Sequence, residues 1–355
     1  MKDTVTLGRR SYAVKSRGGY ARIFLMVCSA FFTAFAVISP QSVLSSVSAS
    51  AEAFVKRAMP SVLLFSIASG MLMLCGFGEV CERFLGRAFR RLLGIGGAMA
   101  APFILGAVAG FPVGAKAVCE LYSRGGCSRT EAERGLALCS NPGLGFTVAG
   151  VGGAIWGDLR FGWTAWAVCL LSSLLTDRVK NGIDAVNPTV LREKDGFRSC
   201  EHGDEFSVSK TVTDSVVNGA LTVLKVFGFV TFFNALASVL WGFTALIPFF
   251  DLSERPWLKA IAVSVLEFSS GVSEIASVSF PRLGPSVFFS VSGIRVARAL
   301  TVAALSWSGF SVHMQAAGFT ASYGFSMREY YRCKTASALL SPVLYLLFSA
   351  IAGLL

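Results

Sequence analysis

Gly110-Phe111-Pro112-Val113-Gly114-Ala115-Lys116 interrupts an apolar run, Leu92 to Tyr122, where a plain spanning helix would be expected. Proline has no backbone donor, and its ring clashes with the preceding helical turn. Gly110 and Gly114 lower the cost of unwound backbone, and Lys116 sets a charge just past the break. In lipid, broken backbone is tolerated only where it is buried in protein or lines a wet cavity. Paired Gly/Pro interruptions in two halves of a chain point to a transporter's binding site. A kinked structural helix is the plainer alternative.

The rest of the chain suits a membrane. Of its 355 residues 54% are apolar and 15% charged, against about 25% charged in a soluble domain. Several apolar runs reach the roughly 20 residues that cross a bilayer. The chain is expected to be an all-α polytopic membrane protein. The formal charge of +11 does not call for a nucleic acid partner, because Lys and Arg gather at the ends of apolar runs, as the positive-inside rule requires. The nine Cys are scattered, with no C-x-x-C pair and no His-linked spacing, so neither a disulfide framework nor a metal site is expected. No nucleophile–base pair or phosphate loop is present, so no enzyme and no cofactor is expected.

The distribution of charge predicts the topology. Residues 1–52 hold a basic segment and a first crossing, Ala21 to Ile38. A cleaved signal peptide is the other reading of that stretch. Gln41 to Met59 is expected as a short external loop, and Pro60 to Val80 as the next crossing. Arg83, Arg87, Arg90 and Arg91 precede the Pro112 run, and Arg124, Arg129 and Arg134 follow it. With both flanks on one side, that run is a re-entrant hairpin. Ser128-x-x-Glu131 is a capping-box signature for the next helix, which meets a second break at Ser140-Asn141-Pro142-Gly143. Residues 177–214 are the most polar and read as a cytoplasmic connector, with His202 as a solvated loop residue. About seven crossings and two re-entrant hairpins result.

The halves 53–176 and 215–355 match at a shift of about 160 residues: Met59 to Gly110 with Ala220 to Gly271, and Gly145-Phe146-Thr147-Val148 with Gly309-Phe310-Ser311-Val312. A competing register pairs the helix starts at Gly126 and Gly324. Met59 enters from outside and Ala220 from the cytoplasm, which makes the repeat inverted. Arg295 and Arg298 then fall outside, against the charge rule.

The first-half run, followed by Glu120-Leu121-Tyr122, Gly125, Ser128, Glu131-Ala132-Glu133-Arg134, Leu136-Ala137 and Asn141-Pro142-Gly143, resembles the signature of the nucleoside-recognition Gate domain superfamily. It is most similar to that of the YlbJ-like sporulation integral membrane proteins. Leu266-Glu267 with Gly271, and Ser308-Gly309-Phe310-Ser311-Val312-His313-x-Gln315, resemble its second signature. The family has a second Asn or similar residue where Ser140 stands. The resemblance covers roughly Ala53 to Leu355. It implies two Gate-like units and a role in endospore formation. It further implies transport of dipicolinic acid across the outer forespore membrane, from mother cell to intermembrane space.

Candidate solute-binding residues follow from the breaks and from ionisable groups inside apolar runs, which are functional hypotheses by default. They are Gly110, Pro112, Gly114 and Lys116 in the first interruption, and Ser140, Asn141 and Gly143 in the second. In the second half they are Glu267, Ser270 and Glu274, then Ser308, His313 and Gln315. Lys116 would attract a carboxylate or snorkel. Ser140 to Gly143 would offer donors at an exposed half-helix end or serve packing. Glu267 and Glu274 would handle a proton or pair with Lys116 or an Arg, and His313 would couple protons or pack. The expected partners are a small anionic solute and the lipid bilayer, with a homo-oligomer open. A non-transporting scaffold of the spore envelope is the alternative function, and a nucleoside-type solute is the alternative cargo.

Overall fold

The computed structural model describes residues 19–181, 207–244, 256–278 and 292–351, and no β-strand occurs among them. The basic segment 1–18, residues 182–206 of the connector with His202, and the stretches 245–255, 279–291 and 352–355 lie outside the described residues. The rest is an all-α, membrane-like fold.

Helix α1 (Gly19–Ile38) meets α2 (Pro40–Ala53) at a bend of 100°. α2 stands where a loop was expected. Pro40 occupies its first turn, where a missing N–H is no loss, and its small Ser and Ala residues allow close packing on α9 (Val208–Thr244). Ser46 Oγ donates to Asn234 O at 3.2 Å, and Phe35 and Val43 are buried with Ala235 and Val239. A π-helical segment, Phe54–Ala58, leads into α3 (Met59–Leu74), and α4 (Phe77–Leu93) leaves α3 at 81°.

α5 (Ala100–Ala109) and α6 (Phe111–Ser123) fold back on each other about Gly110, whose φ of 103° favours glycine. Gly106 and Gly114 lie against each other across the turn: a Cβ on Gly106 would stand 3.1 Å from the Gly114 Cα. At 1.5 Å per residue these helices are about 15 and 20 Å long, short of the roughly 30 Å hydrocarbon core. α7 (Arg129–Cys139) opens with the expected capping box, Glu131 N donating to Ser128 Oγ and Ser128 N to Glu131 Oε2. It stops at Ser140. The chain resumes as a π-helical segment, Phe146–Ile155, and continues into α8 (Leu159–Asn181). Arg134 ties these parts together, bonding Asp177 on α8 through both carboxylate oxygens and the Gly94 carbonyl beyond α4.

The same order recurs after α9. α10 (Pro256–Leu266) and α11 (Phe268–Ser277) fold back about Glu267, with Ser264 pressed on Gly271. α12 (Gly293–Trp307) breaks at Ser308 into α13 (Gly309–Thr320), and α14 (Arg328–Ile351) follows. By length and composition α8, α9 and α14 can cross a membrane, and the number rises to 5 if α1/α2 and α3/α4 each form one bent span. Among the described residues the expected seven is not reached. The helices interrupted at Ser140 and Ser308 run only 11 and 15 residues before their breaks, short of the roughly 20 that cross a bilayer.

Candidate functional site

Each hairpin tip abuts the break of an interrupted helix. In the first half, a Cβ on Gly106 would lie 1.8 Å from the Cys139 carbonyl oxygen, and one on Gly114 2.0 Å from it. The two glycines thus leave a slot for one of the orphan acceptors at the end of α7. Beyond it, Gly143 packs against Ala109 and Gly110, where a Cβ would come within 3.1 Å of backbone. Asn141 Nδ2 caps the same helix end, donating to Leu138 O at 2.7 Å. Ser140 is buried, and its carbonyl accepts from Lys334 Nζ on α14 at 2.7 Å.

Lys334 is the central cation of this arrangement. Its side chain is buried, and its ammonium lies 5.4 Å from the centre of the Phe111 ring, on the tip of the first hairpin. No carboxylate pairs with it among the described residues. Its charge is matched instead by the negative end of α7 and by an aromatic face.

In the second half, Glu267 is the N-cap of α11. Its carboxylate accepts from Ser269 N at 3.2 Å, Ser270 N at 2.8 Å and Ser269 Oγ at 2.7 Å, and the side chain is fully buried. The break it faces is left-handed at two successive residues, Ser308 with φ 79° and Gly309 with φ 75°. Gly309 sits so close that a Cβ would be 2.9 Å from Phe268 N.

The two tips meet. Phe111 and Phe268 touch edge to face at 5.2 Å, and Phe268 touches Phe146 of the π-helical segment at 5.3 Å. Beside this aromatic junction lies a cavity of about 1180 Å³, bounded by both tips, both broken helices, α2 and α9. Of the residues expected from sequence, Gly110, Pro112, Gly143, Ser270, Glu274 and Gln315 line it. Glu274 is paired there with Lys259 at 3.5 Å, not with Lys116 or an arginine. Gly114, Ser140, Asn141, Glu267 and Ser308 lie behind the lining, where they shape the tips and breaks. Lys116 is turned to Glu120, 3.7 Å away on its own helix. His313 is buried, shares a hydrogen bond of 3.2 Å with the Tyr330 hydroxyl, and has Trp307 and Tyr331 edge-on to its ring.

Lys334, Phe111, Phe146 and Phe268 were not among the expected residues. Lys334 stands in a basic cluster with Arg328 and Arg332 and reads as a topology marker. The signal that separates it is helical phase. It falls in the buried stripe Tyr330, Lys334, Ser337, Ser341 and Tyr345, whereas Arg328 and Arg332 lie off that stripe.

No protein-family model and no curated protein matches the chain. A solved structure of CNTnw in the intermediate 3 state is similar at 15% identity, over 94% of this chain and 86% of that one, with a TM-score of 0.38.

Proposed function

We propose that this chain is a membrane transporter for a small anionic solute. The observation that carries this reading is the convergence of two hairpin tips and two broken helices on one cavity, the arrangement in which secondary transporters hold substrate near the bilayer midplane. The recurring element order supports a pair of inverted repeats, 53–176 and 215–355, with α5/α6 and α10/α11 as re-entrant hairpins that turn back inside the membrane. Counted with α1/α2, α3 and the two interrupted helices as crossings beside α8, α9 and α14, this architecture has about seven spans.

The electrostatics favour an anion. The N-terminal end of α6, with Gly110, Phe111 and Pro112, faces the cavity, and so does the start of the π-helical segment at Gly145 and Phe146. Helix N-termini carry partial positive charge and free N–H groups. Lys334 stands one ring behind Phe111. The resemblance to YlbJ-like proteins names the solute, dipicolinic acid, and the membrane, the outer forespore membrane of a sporulating cell.

Uptake of dipicolinate by proteoliposomes tests the proposal. Wild type should show saturable uptake, and Gly143→Leu should lose it while inserting normally, because any side chain at 143 drives into Ala109 and Gly110. No uptake by wild type, with or without a proton gradient, sinks the proposal. Single-cysteine labelling of Arg90→Cys and Arg124→Cys, each in a cysteine-free background, tests the hairpin: both should report the same side.

A further inference from the structure

α4 divides its surface three ways. At 100° per residue, Gly78, Gly86, Phe89 and Leu93 fall on one side and face the protein, with Phe89 against Phe103 at 5.7 Å. Val80, Phe84, Ala88 and Leu92 recur every fourth residue on a second side, and three of them are 50%, 77% and 67% exposed (Val80, Phe84 and Leu92). Arg83, Arg87 and Arg91 recur every fourth residue on the third, all exposed. Among the described residues these three arginines pair with no carboxylate, unlike Arg90, which is bonded to Glu82. The helix also leaves α3 at 81°, so it does not continue the direction of a span.

We propose that α4 lies in the plane of the membrane interface, with Val80, Phe84 and Leu92 in the acyl boundary and the arginine stripe on anionic lipid headgroups. An exposed apolar stripe flanked by arginines is the pattern of a helix that binds at the interface by buried area and charge together. Water alone would leave the phenyl ring of Phe84 unburied, and a bilayer of neutral lipid would offer the three guanidinium groups phosphates but no net negative surface charge. A leaflet containing anionic phospholipid satisfies both faces at once, since its phosphates take the paired N–H donors of guanidinium groups and its negative surface potential attracts each arginine. The inference is independent of what the cavity carries.

The test uses the full chain in nanodiscs of phosphatidylcholine with a minor fraction of phosphatidylglycerol. Native mass spectrometry of the released protein should show phosphatidylglycerol retained in preference. The preference should fall about fivefold for each arginine changed to Gln at 83, 87 and 91. These side chains are exposed, so the variants should keep the wild-type elution volume; a variant that does not is replaced by wild type at rising salt, which should release the same lipid. A fluorophore on Phe84→Cys, in a cysteine-free background, should be quenched by brominated acyl chains and not by aqueous iodide. Equal retention of both lipids, or quenching by iodide alone, overturns the proposal. Displacement of the lipid by millimolar inorganic phosphate shows a free-anion site instead, and crosslinking of two chains through position 84 shows an interface between copies. Either result also overturns it.

Discussion

The rings of Phe111 and Phe268 meet edge to face, 5.2 Å between centroids and with their planes at 77°. Each is the first helical residue after its hairpin turn, so this one contact joins the tips of the two halves. An aromatic pair in this geometry is worth about 0.5–1.5 kcal/mol beyond its buried area. A double-mutant cycle of Phe111→Ala and Phe268→Ala, read by reversible unfolding in mixed micelles, should give a coupling of about 1 kcal/mol. Losses that add within about 0.3 kcal/mol would separate the two tips energetically.

A second expectation concerns which lysine draws the solute. Lys334 Nζ holds the Ser140 carbonyl at 2.7 Å and stands behind the Phe111 ring, whereas Lys116 is paired with Glu120. Lys334→Met should remain folded, since a methionine fills the space with no ion to desolvate. Its affinity for dipicolinate by calorimetry in detergent should fall by at least about tenfold, or about 1.4 kcal/mol. Lys116→Ala breaks an i,i+4 pair worth a few tenths of a kcal/mol and should change affinity about twofold or less. A larger loss for Lys116→Ala than for Lys334→Met would return the anion's attraction to the first hairpin.

What was legible in the sequence is local chemistry. Gly110 and Pro112 announce a turn because one adopts a left-handed φ and the other lacks a donor. Ser128 and Glu131 announce a helix start because each caps the other within one turn. What was hidden depends on partners far along the chain. The Ser-rich stretch 41–50 has the composition of a loop, yet folds as α2 because α9 offers a surface to it, 188 residues away at the Ser46–Asn234 contact. Glu267 reads as an intramembrane acid, but two N–H groups and a hydroxyl of the helix it caps engage its carboxylate. Lys334 hides among arginines because charge composition carries no phase; its helical register does.

The slot for the Cys139 carbonyl makes a third expectation, on stability. Gly106→Ala would place a methyl 1.8 Å from that oxygen, and Gly114→Ala 2.0 Å, whereas a methyl on Gly145 or Gly228 would meet nothing within 4 Å. Overpacking of this kind costs about 1–3 kcal/mol or more. Both slot variants should lose several degrees of melting temperature in detergent, and Gly228→Ala and Gly145→Ala should not. Equal melting temperatures for Gly106→Ala and Gly228→Ala would mean that the hairpin does not sit on the end of α7.

The last expectation concerns the ion pair of Asp158 and Arg298, which joins the turn before α8 to α12 at 2.9 Å. Burial by itself would raise the Asp158 carboxyl, but the Phe161 N–H, the Arg298 guanidinium and the Arg160 N–H outweigh it and hold the group below its ordinary range. The guanidinium is itself set over the rings of Phe161 and Trp156, at 4.9 and 5.5 Å. A carboxyl depressed in the folded state stabilises the fold at any pH above its unfolded value, about 3.9, and that contribution is lost as pH falls through the folded value. Asp158→Asn keeps an acceptor for the two N–H groups and removes only the charge. Its melting temperature should therefore lie below wild type at neutral pH, modestly, because both side chains are partly exposed. The gap should begin to narrow near about pH 4, where the carboxyl of the unfolded chain takes up its proton, and close once the pH has fallen through the depressed folded value. A gap that stays constant from about pH 7 to about pH 3 would assign the effect of Asp158 to hydrogen bonding at the helix start and leave Arg298 with no electrostatic part in it.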